Sequence, residues 1–212
     1  MLSVAIEGPC CAGKTTLGRG LLSELSHLAV AYVADYADYV GGGRFLPAAV
    51  PGLPAEEERA LATFLAIEAD RASHVRASAS AWDLVLIDRS IHTLLAHCFG
   101  LDHVMAQGYF RLAEGVLPSS AIPLWPDLVL YLDLPQEVLA ARNRGKFERD
   151  SIYVNAAFNE GARSYFQALA SRGHPRVAWL DATVHAAELA AQARVQLDER
   201  IGATQRSTRR GT

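Results

Sequence analysis

Cysteine is scarce in this chain of 212 residues: Cys10, Cys11 and Cys98 are the three thiols, and two of them are neighbours. Neighbouring cysteines rarely bridge each other, so no disulfide framework is available and a reducing compartment is expected. Basic excess is missing as well. The formal net charge is −3, whereas a nucleic-acid groove normally carries a surplus of Lys and Arg; no nucleic-acid partner is expected. No apolar run reaches the ~18 residues of a membrane span. The first residues, Met1–Glu7, lack a basic region and meet an acid before a signal-length apolar run can form. A cytoplasmic protein without membrane attachment is expected. There are no internal repeats and no second domain: one domain is expected over 1–203, then a polar tail over 204–212.

What is present is an alternation. Five short apolar runs (Leu2–Ile6, Leu28–Val33, Leu84–Ile87, Leu128–Leu132 and Val177–Leu180) are hydrophobic on successive residues, as in strands covered on both faces. Helical segments separate them: Lys14–Ser26, Ala55–Ala81, Ser90–Leu112, Pro135–Arg142, Asn155–Ser171 and Ala186–Ile201. Such alternation predicts an α/β fold with a parallel sheet. The Gly- and Pro-rich stretch 41–54 predicts a loop, and the polar, basic segment 143–152 predicts a mobile flap.

The first turn carries the chemistry. Gly8-Pro9-Cys10-Cys11-Ala12-Gly13-Lys14-Thr15, with Thr16 behind it, satisfies G-x-x-x-x-G-K-[ST]. Its glycines let backbone N–H groups turn towards phosphates, the lysine reaches the β/γ oxygens, and the threonine hydroxyl takes magnesium. An apolar strand precedes the motif and an amphipathic segment follows it, so the start of that helix adds its positive end. ATP with magnesium is the expected ligand. Cys10 and Cys11 read as spacers rather than catalytic thiols, because no activating base can be placed beside them. The third apolar run ends in Asp88-Arg89. An acid there can hold magnesium through water, and an arginine beside it can offset charge on a transferring phosphate.

With these residues in place the chain resembles the thymidylate kinase family, within the P-loop nucleoside and nucleoside-monophosphate kinases. Six stretches carry the resemblance: Ile6–Thr16, Ala69–Val75, Asp88-Arg89, Pro126–Asp133, Phe158–Phe166 and Leu180–Ala182. It implies a P-loop kinase fold, a five-stranded parallel sheet flanked by helices, with a lid near 142–152. It implies that Lys14 and Arg89 act on the phosphates and that Thr15 and Asp88 hold the metal. Arg142, Arg144, Lys146 or Arg149 would close over ATP, and Asp181, Ala182 and Thr183 would lie near adenine. Arg71 would meet the acceptor's base or phosphate, in a pocket built from regions 36–75 and 90–110. Acceptor contacts are expected from Asp35, Tyr36, Arg44, Phe64, Ile67, Arg71, Thr93 and His97.

The departures from the family pattern all fall on the acceptor side. Where an R-E-P-G-G run is usual, this chain has Asp35 through Arg44, with Arg44 as the one substitute cation; Cys10 replaces an acid in the phosphate loop; Ile67 replaces a base-stacking aromatic, with Phe64 a turn further back. A monophosphate is close to a dianion and needs cations, whereas Asp35 and Asp38 would suit a neutral or cationic alcohol. Glu7 could be the base for such an alcohol or only a hydrogen-bonding partner near the loop. The first reading is an ATP-dependent kinase acting on a nucleoside monophosphate. The alternatives are a kinase for a hydroxyl of a nucleoside, or of a nucleoside-like or amino-sugar natural product, and a nucleotide-binding regulator. A homodimer is left open.

Overall fold

The computed structural model describes residues 1–117, 123–148 and 151–210, with backbone alone over 203–210. Five strands, β1 (Leu2–Glu7), β2 (Val30–Val33), β3 (Leu84–Asp88), β4 (Leu128–Asp133) and β5 (Arg176–Asp181), form one sheet in the order β2-β3-β1-β4-β5. Every pairing is parallel. The three central strands are buried almost throughout, as their unbroken apolar runs require, while β5 at the edge alternates exposed and buried residues.

Because side chains alternate across a strand, each central strand feeds two cores. Val4, Ile6, Leu84, Leu86, Leu128 and Leu130 pack with α1 (Lys14–Glu24) and α8 (Ala186–Arg210). Ala5, Val85, Ile87, Val129 and Tyr131 pack on the other face with α3 (Pro54–Arg76), α4 (Ile91–Met105), α5 (Tyr109–Val116) and α7 (Ala156–Ser171). The remaining helices are the single turn α2 (Tyr36–Tyr39) and α6 (Gln136–Asn143).

Local signals explain most boundaries. Pro54 opens α3, and the Glu56 carboxylate accepts from the backbone of Gly52 and Leu53 ahead of it. Ser90 caps α4 and Asn155 caps α7. The single helix expected over Ser90–Leu112 is two helices. Ala106 turns left-handed after α4, and the Asp102 carboxylate accepts from the backbone N–H of Tyr109 and Phe110, capping α5 from the side. Inside the expected loop 41–54, a 3-10 turn covers Gly43–Phe45. At the other end of the chain, the residues expected as a tail continue α8 to Arg210, and 211–212 lie outside the described residues. Helices α4 and α7 cross at two glycines: a Cβ on Gly100 would sit 2.7 Å from the Phe158 carbonyl oxygen, and one on Gly161 would lie 2.9 Å from the Gly100 Cα.

The order of the sheet places β1 between β3 and β4, so the carboxyl ends of all three meet on one edge. Ile6 pairs with Asp88, and Glu7 with Tyr131. In open parallel sheets such an edge, where crossovers diverge, is where ligands bind.

Candidate active site

The loop after β1 is shaped by steric necessity. Gly8 has φ +134°, and a Cβ there would lie 2.7 Å from the Leu132 carbonyl oxygen on β4. No other residue fits this approach. Gly13, also at positive φ, precedes α1, which starts at Lys14 without a side-chain cap. The first N–H groups of α1 are therefore left to whatever occupies the loop, an arrangement suited to an anion. Cys11 holds a left-handed backbone inside the loop, Ala12 packs into the core, and Thr16 is exposed.

Three charged side chains converge on this loop. The buried Lys14 Nζ donates to the carbonyl oxygens of Gly8 at 3.0 Å and Pro9 at 2.7 Å. Burial, then repulsion from Arg89, brings its pKa down to about 8. Fully buried Asp88 accepts from the Thr15 hydroxyl at 2.7 Å and the Tyr32 hydroxyl at 3.2 Å, both on Oδ2, while its buried Oδ1 has no partner. Arg89 donates from Nε to Asp35 at 2.9 Å and from Nη2 to the Cys10 sulfur at 3.4 Å. Burial opposes its charge, but Cys10, Asp35, Glu7 and Asp88 outweigh that and hold it above the usual arginine value.

Glu7 lies beneath them, 1 % exposed. One carboxylate oxygen accepts from the backbone N–H and the hydroxyl of Ser90, and the other from the Thr93 hydroxyl. Burial raises its pKa, against these hydrogen bonds and Arg89. Glu7 thus ties β1 to the start of α4.

A cavity of about 60 Å³ opens between the loop and α4/α7. Of the expected site residues it brings together Glu7, Gly8, Pro9, Cys10, Arg89, Thr93 and His97. His97 Nε2 lies 2.7 Å from the Ala49 carbonyl oxygen, which only a protonated nitrogen can satisfy, and burial lowers the ring's pKa to about 4. Neutral His97 therefore carries its free lone pair on Nδ1. Tyr131, Tyr153, Phe158, Asn159 and Phe166 also line the cavity, a wall that the sequence reading did not assign. Aromatic residues in 153–166 were the available signal, but only the α4–α7 crossing brings them opposite the loop. Tyr32 was missed too, since its reach to Asp88 depends on β2 lying beside β3.

Other expected residues lie elsewhere. Arg71 is buried, with its guanidinium on Glu68 and on the Asp88 and Arg89 carbonyl oxygens, outside the cavity lining. Tyr36 is buried, donates to Glu68 and packs edge-on against Phe64; Ile67 packs on the same core. Arg44 sits on the exposed turn over the Phe45 ring. Arg142 lies in the last turn of α6, and Arg144, just after its final residue Asn143, is left-handed. Lys146 lies over Phe147, which packs on Tyr153. Arg149 is outside the described residues. Asp181 accepts from the backbone and hydroxyl of Thr183, and Ala182 donates to the Asp133 carbonyl oxygen, both at the carboxyl edge of the sheet.

No family model matches the chain. Among curated proteins it is 30 % identical over 196 residues to the thymidylate kinase of Thermomicrobium roseum, covering 85 % of this chain and 87 % of that one. It is 37 % identical over 130 residues to the thymidylate kinase of Thermosynechococcus vestitus, covering 58 % and 51 %. With the thymidylate kinase of Xanthomonas euvesicatoria pv. vesicatoria it shares 31 % identity over 176 residues, 79 % and 72 % of the two chains. The first match takes in more than four-fifths of both chains. On that breadth of similarity, the chain belongs to the thymidylate kinase family.

Proposed function

We propose that the protein is a cytoplasmic ATP-dependent phosphotransferase of thymidylate kinase type, moving the γ-phosphate of ATP to a nucleoside monophosphate. The observation that carries this reading is the convergence of Lys14, Asp88 and Arg89 on the Gly8–Thr15 loop at one edge of the sheet. An acceptor phosphate oxygen would bond to the γ-phosphorus as the bond from that phosphorus to the β–γ bridging oxygen breaks, leaving ADP and a nucleoside diphosphate.

Each residue has a part in that transfer. Lys14, held in place on loop carbonyls, would exchange them for β/γ oxygens. Arg89 would bridge donor and acceptor phosphates, offsetting their mutual repulsion. Magnesium fits the Thr15–Asp88 pair, because Asp88 Oδ1 is buried and without a partner. Phosphate oxygens and water would complete such an ion's shell. When bound, magnesium would neutralise charge on the β and γ phosphates. Arg142, Arg144 and Lys146 would close over ATP, and Asp181–Thr183 would flank adenine.

The acceptor would enter beside Thr93 and His97. The cavity of about 60 Å³ is small against the roughly 300–1,000 Å³ of ordinary small-molecule sites, so entry would displace the Tyr153–Phe158 wall. No helix among the described residues is long and apolar enough to cross a membrane. The same reading includes a homodimer, which light scattering behind a sizing column would test.

Coupled ADP release tests the proposal across nucleoside monophosphates, nucleosides and amino-sugar alcohols. Turnover of at least one monophosphate is expected. Turnover of an unphosphorylated alcohol with none of any monophosphate would replace the reading.

A further inference from the structure

Arg71 and Glu68 form the most deeply buried ion pair among the described residues, with side chains 0 % and 1 % exposed and 2.8 Å between them. Among the described residues its hydrogen-bond partners are Tyr36, Leu124 and the Asp88 and Arg89 carbonyls, none of them in the phosphate loop. Burying two charges costs desolvation that their attraction seldom repays, so the pair calls for an explanation other than stability.

Its partners supply one. Arg71 Nη2 donates to two successive carbonyl oxygens, Arg89 at 2.8 Å and Asp88 at 3.2 Å. Those carbonyls bracket the backbone of Arg89, which is left-handed at φ 63°. A residue with a Cβ adopts that conformation at a cost, and it persists where the surroundings over-determine it. On the opposite side the Arg89 N–H donates to the Ile6 carbonyl oxygen at 3.2 Å. The other end of the brace is equally fixed. Glu68 accepts from the Tyr36 hydroxyl at 3.0 Å and from the Leu124 N–H at 3.2 Å, and the Arg71 guanidinium lies 4.2 Å from the Tyr36 ring centre. Tyr36 in turn follows Asp35, the carboxylate that holds the Arg89 side chain. Arg89 is thus gripped twice from one hub, at its backbone by Arg71 and at its guanidinium by the residue beside Tyr36.

We propose that Arg71, braced by Glu68, is a positioning residue that aims Arg89 across the phosphate loop, rather than a contact for the acceptor's base. The inference rests on the kinase reading for its kinetic consequence, but its structural content does not. The planar guanidinium meets the carboxylate through one nitrogen and both carbonyls through another, a fixed fork that the single tetrahedral nitrogen of a shorter lysine does not reproduce. Small misplacement of a phosphate-bridging group costs rate rather than affinity.

The test uses the full chain, with Arg71→Lys and the charge-free double variant Glu68→Gln/Arg71→Met. The Gln oxygen can still accept from the Leu124 N–H while its amide donates to the Tyr36 hydroxyl, so the double variant leaves no unpaired buried charge. The first readout is the Arg89 Nε–Hε NMR resonance without nucleotide, visible because that N–H is bonded to Asp35. It is expected to broaden or move to the position of solvated arginines in both variants, while their melting transitions remain cooperative. The second readout is turnover of two nucleoside monophosphates that differ in base. A fall in kcat of roughly 30- to 100-fold is expected for both, with the ratio of their kcat/KM values changing by less than about twofold. An unchanged Arg89 resonance would overturn the proposal. So would retained kcat with a shifted base ratio, which would make Arg71 a base-reading residue, or loss of folding in both variants, which would make the pair a core requirement. If wild type turns over no monophosphate, the kinase reading fails while the NMR arm still decides the positioning role.

Discussion

Asp35 and Arg89, 54 residues apart, are joined by a 2.9 Å ion pair directly over the phosphate loop. The same guanidinium also reaches the Cys10 sulfur in the loop, and under the proposed reading it is the cation that would meet a transferring phosphate. An incoming monophosphate would then compete with Asp35 for Arg89.

Removing that competitor has a sign that depends on the acceptor. For a monophosphate, Asp35→Asn is expected to lower the acceptor KM by about three- to tenfold, with ATP affinity level, because one repelling charge is gone. For an alcohol or amine acceptor the same variant would raise KM, since the carboxylate would be binding it. Steady-state kinetics with each acceptor at saturating ATP reads the difference.

Lys14 carries two expectations. Lys14→Ala is expected to reduce kcat by at least about a hundredfold, since its charge follows the γ-phosphate. In addition, a lysine with a pKa of about 8 is partly neutral in mildly alkaline buffer, while its phosphate-bound form is charged. Binding should take up a proton above pH 8, and affinity should fall as pH rises through that range. Titration calorimetry of ATP at pH 8.5 in buffers of different ionisation enthalpy measures the uptake; none at all would mean that Lys14 does not engage phosphate.

Much of this site was legible in the sequence, for a physical reason. The loop glycines, Lys14, Thr15 and the Asp88-Arg89 edge sit where strands end, and those ends are marked by short, β-branched and leucine-rich apolar runs bounded by turn residues. The five strands were therefore placed to within two residues at each end. The fates of Arg71, Tyr36 and Tyr32 were not legible. Each depends on which strand or helix becomes a neighbour, and Arg71 reads the same in sequence whether its guanidinium faces a ligand or two backbone carbonyls. The break between α4 and α5 was hidden similarly, because it is made by a side chain, Asp102, capping a helix seven residues further on.

Asp88→Asn should weaken magnesium-dependent turnover far more than nucleotide binding without metal, because its buried Oδ1 is open to an ion or its water. Measuring nucleotide affinity with magnesium and with a chelator separates the two. Equal losses in both would make Asp88 solely a partner of Thr15 and Tyr32.

Acid should destabilise the fold through His92. It is buried, with Nδ1 2.7 Å from the Tyr165 hydroxyl and a pKa that burial lowers to about 4. Between pH 6.5 and 4 the unfolded chain takes up this proton and the folded chain does not, so stability falls with pH by up to about 1.4 kcal/mol per unit from this group. Denaturant midpoints at pH 7, 6 and 5 should show a shallower decline in His92→Asn than in wild type.

The most direct test follows the phosphate itself. Radiolabelled γ-phosphate on ATP, magnesium and equal concentrations of a nucleoside and its monophosphate should yield labelled nucleoside diphosphate, and Lys14→Ala should abolish the signal. Label appearing on the nucleoside alone, or released only as inorganic phosphate, would contradict the account.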